Sequence, residues 1–254
     1  MPQDYRSTSI QLIDMVFPGD ANHHGTLFGG VALAHMDKVA FLAASRHGRA
    51  AFVTASSEKI DFTAPARIGD MVEVTGRVVR VGRKSLDVEV ELIAEAPVSG
   101  ERRLCTLGRF TLVSVGSEDP LPPMGETVPH DAAEPLRMVE MIFPNQTNHY
   151  GTLYGGDALR MMGKAAFIAS TRQARAVMVM AASDRIDFRS PIREGEMVEL
   201  TAGVQMTGRS SVRISVDLSA EDLISGERRH AATALFTMVS VDGDGRAKPL
   251  GSIG

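Results

Sequence analysis

The sequence predicts an α+β protein built twice over, as two domains that each wrap a curved antiparallel sheet around one long buried helix. Three observations predict it. Residues 8–115 recur without a gap as residues 134–241, at a constant shift of 126 positions. Each copy holds one helix-like run. Each run is followed by several segments of strand-like alternation.

The repeat is visible residue by residue. Asn22-His-His-Gly-Thr-Leu-Phe-Gly-Gly30 returns as Asn148-His-Tyr-Gly-Thr-Leu-Tyr-Gly-Gly156, and Ser99-Gly-Glu-Arg-Arg103 as Ser225-Gly-Glu-Arg-Arg229. A short strand opens each copy, over residues 9–16 and 136–142. A loop beginning Phe17-Pro18 or Phe143-Pro144 follows. The run 31–45 is rich in Ala, Leu and Met, which favour helix. It is apolar on almost every face, so the helix should be buried. Asp87-Val-Glu-Val-Glu-Leu92 and Val212-Arg-Ile-Ser-Val-Asp-Leu218 alternate with period two. Residues 72–81, 104–115, 198–206 and 230–241 supply further strands. Gly82-Arg83, Ser99-Gly100, Gly208-Arg209 and Ser225-Gly226 read as hairpin turns.

The domains are bounded at 1–115 and 136–254. The linker, 116–135, holds five of the twelve prolines and reads as semi-rigid. Extended, it reaches about 60 Å at ~3.1 Å per residue, enough to set the second copy antiparallel to the first. A duplicated domain tends to pair about a pseudo-two-fold axis, and a site on that axis draws residues from both copies.

Charge and cysteine content exclude several classes. The 27 basic and 31 acidic residues leave a net charge of −4, with no basic run of the kind nucleic-acid binders use. One cysteine, Cys105, forms no intramolecular disulfide, suits a reducing compartment and reads as a small core residue. The N-terminus has no apolar signal core, and no segment is long enough to span a bilayer, so the expected setting is cytoplasmic. His23, His24 and His149 lack the helical spacing of zinc motifs, so no metal is expected. Gly25-x-x-x-Gly29-Gly30 fits neither a P-loop nor a dinucleotide fingerprint.

Asn-x-x-Gly-x-x-x-Gly-Gly leading into an apolar helix is followed by Phe62-x-x-Pro65-x-x-x-Gly69-Asp70 and by Gly82-Arg83-Lys84-Ser85. In this order the motifs resemble the hotdog-fold acyl-CoA thioesterases in their tandem, double-hotdog form. The resemblance covers both repeats, nearly the whole chain apart from linker and tails. It implies hydrolysis of fatty acyl-CoA, of short to medium or long chain, to free acid and CoA. No cofactor is implied beyond the coenzyme A of substrate and product. It also implies a homo-oligomer, in some relatives three double hotdogs around an axis. In that family a helix Asp of one hotdog works with a loop Asn of the other. Carried over, these are Asp37 with Asn148, and Asn22 facing Gly163, where the second copy lacks the carboxylate.

The chemistry suits these residues. Thioester hydrolysis needs a base or nucleophile, an oxyanion stabiliser and a thiolate leaving group. Gly29, Gly30, Gly155 and Gly156 stand at helix N-termini, whose outward N–H groups make an oxyanion hole. They equally permit close helix–sheet packing. Asp37 lies about two turns after Gly30. A carboxylate in apolar surroundings is a better base, or it attacks directly. It can also be a structural partner. Asn22 and Asn148 hold water or carbonyl with their amides, or simply shape turns. Asp157 either complements the helix dipole or is a displaced acid for the second site. Arg83, Lys84, Ser85, Arg209, Ser210 and Ser211 at the turns are candidates for CoA phosphates, with Arg67 and Arg193 weaker ones. Phe28, Phe41, Tyr154 and Phe167 can line the acyl chain or serve as core. Two other functions fit the fold: a non-catalytic acyl-CoA binding module, and a hydratase or dehydratase.

Overall fold

The computed structural model describes residues 9–116, 118–124, 135–184 and 186–251. Of the expected linker, positions 117 and 125–134 lie outside the described residues. The chain divides into two compact units: Met1–Ala96 with Glu101–Glu134 and Leu223–Gly226, and Pro97–Gly100 with Pro135–Asp222 and Glu227–Gly254.

In the first unit β1 (Ile10–Met15) leads through the Asn22 loop into α1 (Gly29–Gly48). Then follow β2 (Ala51–Ser57), β3 (Asp61–Phe62), β4 (Met71–Val81), β5 (Ser85–Glu95) and β6 (Arg102–Val115). The sheet is antiparallel in the order β1-β4-β5-β6-β2, with β3 also on β6. The second unit repeats this with β7 (Leu136–Met141), α2 (Gly155–Ala174), β8 (Met178–Ser183), β9 (Asp187–Phe188), β10 (Met197–Thr207), β11 (Ser211–Glu221) and β12 (Arg228–Ser240). The expected strands and helices all form, within a few residues of their expected ends. β2, β3, β8 and β9 were not expected. In β2 only Phe52 is buried and in β8 only Met178, so neither carries the alternation that marks a strand.

Each sheet curls so that one face holds the helix. In β5, Leu86, Val88, Val90, Leu92 and Ala94 are each at most 1% exposed, while the residues between them turn outward. Val212, Ile214, Val216, Leu218 and Ala220 do the same in β11. Against them α1 lays Ala32, Met36, Val39, Ala40, Leu42 and Ala43, and α2 lays Ala158, Met161, Met162, Ala165, Ala166 and Ile168. Each large side chain so buried contributes about 1.5–3 kcal/mol. Burial is not uniform along the helices: Leu33 and Leu159 stay about 40% exposed in the first turns.

Buried carboxylates close the end of each sheet where β5 meets β6. Arg102 donates to Glu73 at 2.8 Å and to Glu95 at 3.0 Å, and Arg103 donates to Asp70. The second unit repeats the set with Arg228 on Glu199 and Glu221, and Arg229 on Glu196. Arg137 adds a further 2.9 Å bond to Glu199. The register places Glu95 opposite Arg102 and Glu221 opposite Arg228, so strand pairing itself aligns these charges.

Two stability predictions follow from these charges. Glu221 is 2% exposed, so Arg228→Ala takes a guanidinium from a buried carboxylate and should cost about 3–5 kcal/mol in urea unfolding. On the outward face, hydrogen bonding from Arg80 holds the Asp87 carboxyl below its ordinary range, against the opposing effect of burial. A carboxylate lowered in the folded state stabilises above its unfolded pKa, about 3.9, and loses that contribution as pH falls through the folded value. Asp87→Asn should therefore flatten the acid limb of the stability curve below about pH 4, measured by unfolding across pH.

Candidate active site

The Asn22 loop is built by its own side chain. Asn22 Oδ1 accepts from the His24 amide at 2.9 Å, the Thr26 amide at 3.3 Å and Thr26 Oγ1 at 3.2 Å. Gly25, at φ 73°, supplies the left-handed residue that the turn requires. Asn148 Oδ1 is held in the same way by the Tyr150 amide, the Thr152 amide and Thr152 Oγ1. The two amides then differ. Asn22 Nδ2 donates to Thr26 Oγ1 at 3.0 Å, while Asn148 Nδ2 makes no such bond among the described residues. The turn-forming reading of both Asn residues thus holds, and it leaves the Asn148 amide group to be offered outward.

Both loops deliver the chain to a helix N-terminus. The first amide to fold back in α1 is that of Val31, onto Phe28 O, and in α2 that of Asp157, onto Tyr154 O. The N–H groups of Gly29, Gly30, Gly155 and Gly156 precede them and point out of the helix ends. A Cβ on Gly30 would lie 2.7 Å from the Phe28 ring, and one on Gly156 2.9 Å from the Tyr154 ring. These glycines therefore make room for an aromatic ring rather than for the sheet. Phe28 and Tyr154 are 57% and 61% exposed, so they are not core. Phe41 and Phe167 are half-buried.

A cavity of about 360 Å3 opens beside the first helix end, lined by Asn22, Gly29, Phe62, Pro65, Leu92 and Cys105. Its counterpart in the second unit, about 220 Å3, is lined by Gly155, Phe188, Arg189, Pro191 and Ile192. Burial pushes the Cys105 thiol pKa up, as befits a core residue rather than a nucleophile.

Asp37 stands two turns into α1, half-buried. Its neighbours Met36, Val39 and Ala40 are fully buried. Thr54 Oγ1 on β2 donates to Asp37 Oδ1 at 2.7 Å. This is the carboxylate's one hydrogen bond among the described residues, and it fixes the rotamer. Thr54 is the residue that sequence reasoning missed. The position lies in a strand with no legible alternation, and its repeat partner, Met180, is not a hydroxyl residue.

The remaining candidates lie elsewhere. Leu27 and Ile68 tie the Asn22 loop to the chain just before β4, through bonds to Ala66 O and Gly25 O. The Arg83-Lys84-Ser85 turn sits at the far end of that strand, eleven residues or about 35 Å away. Lys84 is paired with Glu118, and Arg83 O accepts from the Leu121 amide. Arg209, Ser210 and Ser211 occupy the matching turn beyond β10, where Arg209 O accepts from Leu250. Within each unit, then, the basic turns are not brought to the helix N-terminus. Arg67 and Arg193 bridge to Thr26 and Thr152 beside the loops. Asp157 pairs with Arg160 at 3.0 Å in the first turn of α2, a favourable place for a carboxylate. Among the described residues, no three His, Cys, Asp or Glu side chains gather as a metal site would require. No helix among them is long and apolar enough to cross a membrane.

Comparison with known proteins adds identity to this geometry. The thioesterase superfamily model matches residues 24–101 and again residues 150–226. A crystal structure of an acyl-CoA hydrolase from Agrobacterium tumefaciens is 48% identical, with a TM-score of 0.88 over 95% of this chain and 98% of that one. The human cytosolic acyl coenzyme A thioester hydrolase is 22% identical over 92% of this chain and 74% of its own length. Mouse acyl-coenzyme A thioesterase 11 is 26% identical over 98% of this chain, which spans 50% of that protein's length. The chain belongs to the thioesterase superfamily, as a tandem hotdog-fold member of its acyl-CoA thioesterases.

Proposed function

We propose that this chain hydrolyses acyl-CoA thioesters to the free acid and CoA, with Asp37 and Asn148 serving one site. The observation that carries the reading is the Asp37 carboxylate, half-buried on an apolar helix and oriented by the Thr54 hydroxyl. In the base route, Asp37 takes a proton from water as the water oxygen bonds to the thioester carbon. Outward N–H groups at a glycine helix end receive the developing oxyanion. The tetrahedral centre collapses, the C–S bond breaks, and the thiolate leaves and is protonated. In the nucleophile route a carboxylate oxygen bonds to the carbon, the C–S bond breaks to release the thiolate and leave an anhydride, and water then cleaves the anhydride to restore the carboxylate, its proton passing to the thiolate. Both routes balance, and both need the carboxylate ionised.

The Asn148 carbonyl oxygen is committed to its own loop, so its Nδ2 is the group it can present to water or to a thioester oxygen. Asn22 already donates to Thr26, which supports the asymmetric pairing. The reaction as proposed uses no cofactor apart from the CoA of the substrate. A homo-oligomer, such as three double hotdogs, and a cytosolic setting extend the reading.

Thiol release from a panel running from acetyl- to palmitoyl-CoA tests it. Wild-type turnover should fall about a hundred- to ten-thousand-fold in Asp37→Asn with folding intact, the range for loss of a general base. Survival of the rate in that variant would sink the assignment. On the same assay Asn148→Ala should lower kcat at least about tenfold, whereas Asn22→Ala should act mainly through loop stability. Equal losses of kcat in the two variants would count against the asymmetric pairing. CoA-ester binding without turnover on any chain length would favour the binding-module alternative.

A further inference from the structure

The two helix-end cavities occupy the same place in the two repeats but have different floors. Each of the nine residues that line the cavity beside Gly155 has its repeat counterpart in the wall of the cavity beside Gly29. Six of the nine are unchanged. The other three are exchanged: Thr63, Ala64 and Ala66 become Arg189, Ser190 and Ile192. Arg189 is exposed, and Ser190 Oγ donates to His230 O at 2.8 Å, so neither closes the interior. Ile192 is 4% exposed and does close it. The first cavity runs past Ala66 to Leu92 on β5 and Cys105 on β6. Their counterparts Leu218 and Ala231 are fully buried and form no part of the second cavity's wall. The second cavity is accordingly the smaller, about 220 Å3 against 360 Å3, even though Cys105 has given way to the smaller Ala231. The exchange of Ala66 for Ile192 sets the depth.

The interior of the second cavity suits hydrocarbon. Its two hydroxyl protons are committed, that of Thr152 to Asn148 Oδ1 and that of Ser190 to the His230 carbonyl. Leu153, Ala158, Pro191 and Ile192 supply apolar wall. The amides of a pantetheine arm would find neither hydroxyl free to donate, whereas methylenes need no partner and gain by leaving water. The pairing of Asp37 with Asn148 brings the thioester carbonyl to the Gly155 helix end, where this cavity opens. We infer that the acyl chain of the substrate ends in the second unit's cavity, and that Ile192, as its floor, limits the chain length accepted at the Asp37 site. The inference rests on the thioesterase reading. Ala66 has no part in it, because its cavity lies beside the Asn22 loop.

The test is the profile of kcat/KM against chain length, from acetyl- to palmitoyl-CoA, in the wild type, Ile192→Ala, Ile192→Val and Ala66→Ile. The wild-type profile should fall off beyond one length. Ile192→Ala should move that length up by about two to four carbons. It should raise the first ester beyond the wild-type limit at least about tenfold, relative to the best wild-type substrate. Ile192→Val should shift the profile the same way by less, and Ala66→Ile should leave it unchanged. Emptying a buried position also costs stability, but a ratio between two esters on one preparation does not depend on the fraction folded. A wild-type profile with no fall-off would overturn the inference. So would an unmoved profile in both Ile192 variants, or a shift in Ala66→Ile as large as that in Ile192→Ala. If the wild type turns over no acyl-CoA at all, the thioesterase reading fails. The rise in melting temperature that each ester induces then decides whether Ile192→Ala extends the chain length bound.

Discussion

In each unit, a twenty-residue helix must lie against the concave face of one antiparallel sheet, and the sequence is arranged around that contact. Every second residue of β5 and β11 is given to it. The constraint also places Asp37. Met36, Val39 and Ala40 are pinned against the sheet, so the intervening position 37 turns to a flank, about 100° round the helix from residue 36. On that flank the carboxylate meets Thr54, on the strand that closes the order β1-β4-β5-β6-β2. The helix start is fixed by the same docking, because the Asn22 loop is hydrogen-bonded to the chain entering β4. A shifted helix would move the carboxylate and the glycine amides together.

The parts of the fold that bury apolar residues periodically were legible in the sequence. β5 and β11 announce themselves by alternation, and the helices by length and composition. The strands that escaped are those whose pairing is paid for by backbone hydrogen bonds rather than by side-chain burial: β2, β8 and the two-residue β3 and β9. Missing β2 had a chemical consequence, since Thr54 sits on it. Asp37 was legible because a carboxylate is conspicuous on an apolar helix. Its hydroxyl partner was not, because a threonine in an exposed strand is ordinary. The role of the second glycine of each pair was also hidden, since it depends on where the ring of Phe28 or Tyr154 folds.

The two units agree at their buried ion pairs and differ at polar pairs nearer the surface. Glu73, Glu95 and Arg102 have counterparts in Glu199, Glu221 and Arg228, with matching distances. A buried carboxylate that loses its guanidinium is too costly to drift. The outward pair Arg80 and Asp87 has no such hold, and its repeat positions are Met206 and Arg213. Asp37 with Thr54 belongs to this second group: half-exposed polar groups whose removal leaves the core untouched.

Fusing the two copies into one chain changes what a mutation can do. In a symmetric pair of identical subunits, any codon change is written into both halves at once, and a lost acid silences every site. Here each half has its own codons. One half can change at a position that its twin keeps, and each half is free to acquire its own affinity, timing or ligand. Continuity of chain thus frees the copies to specialise.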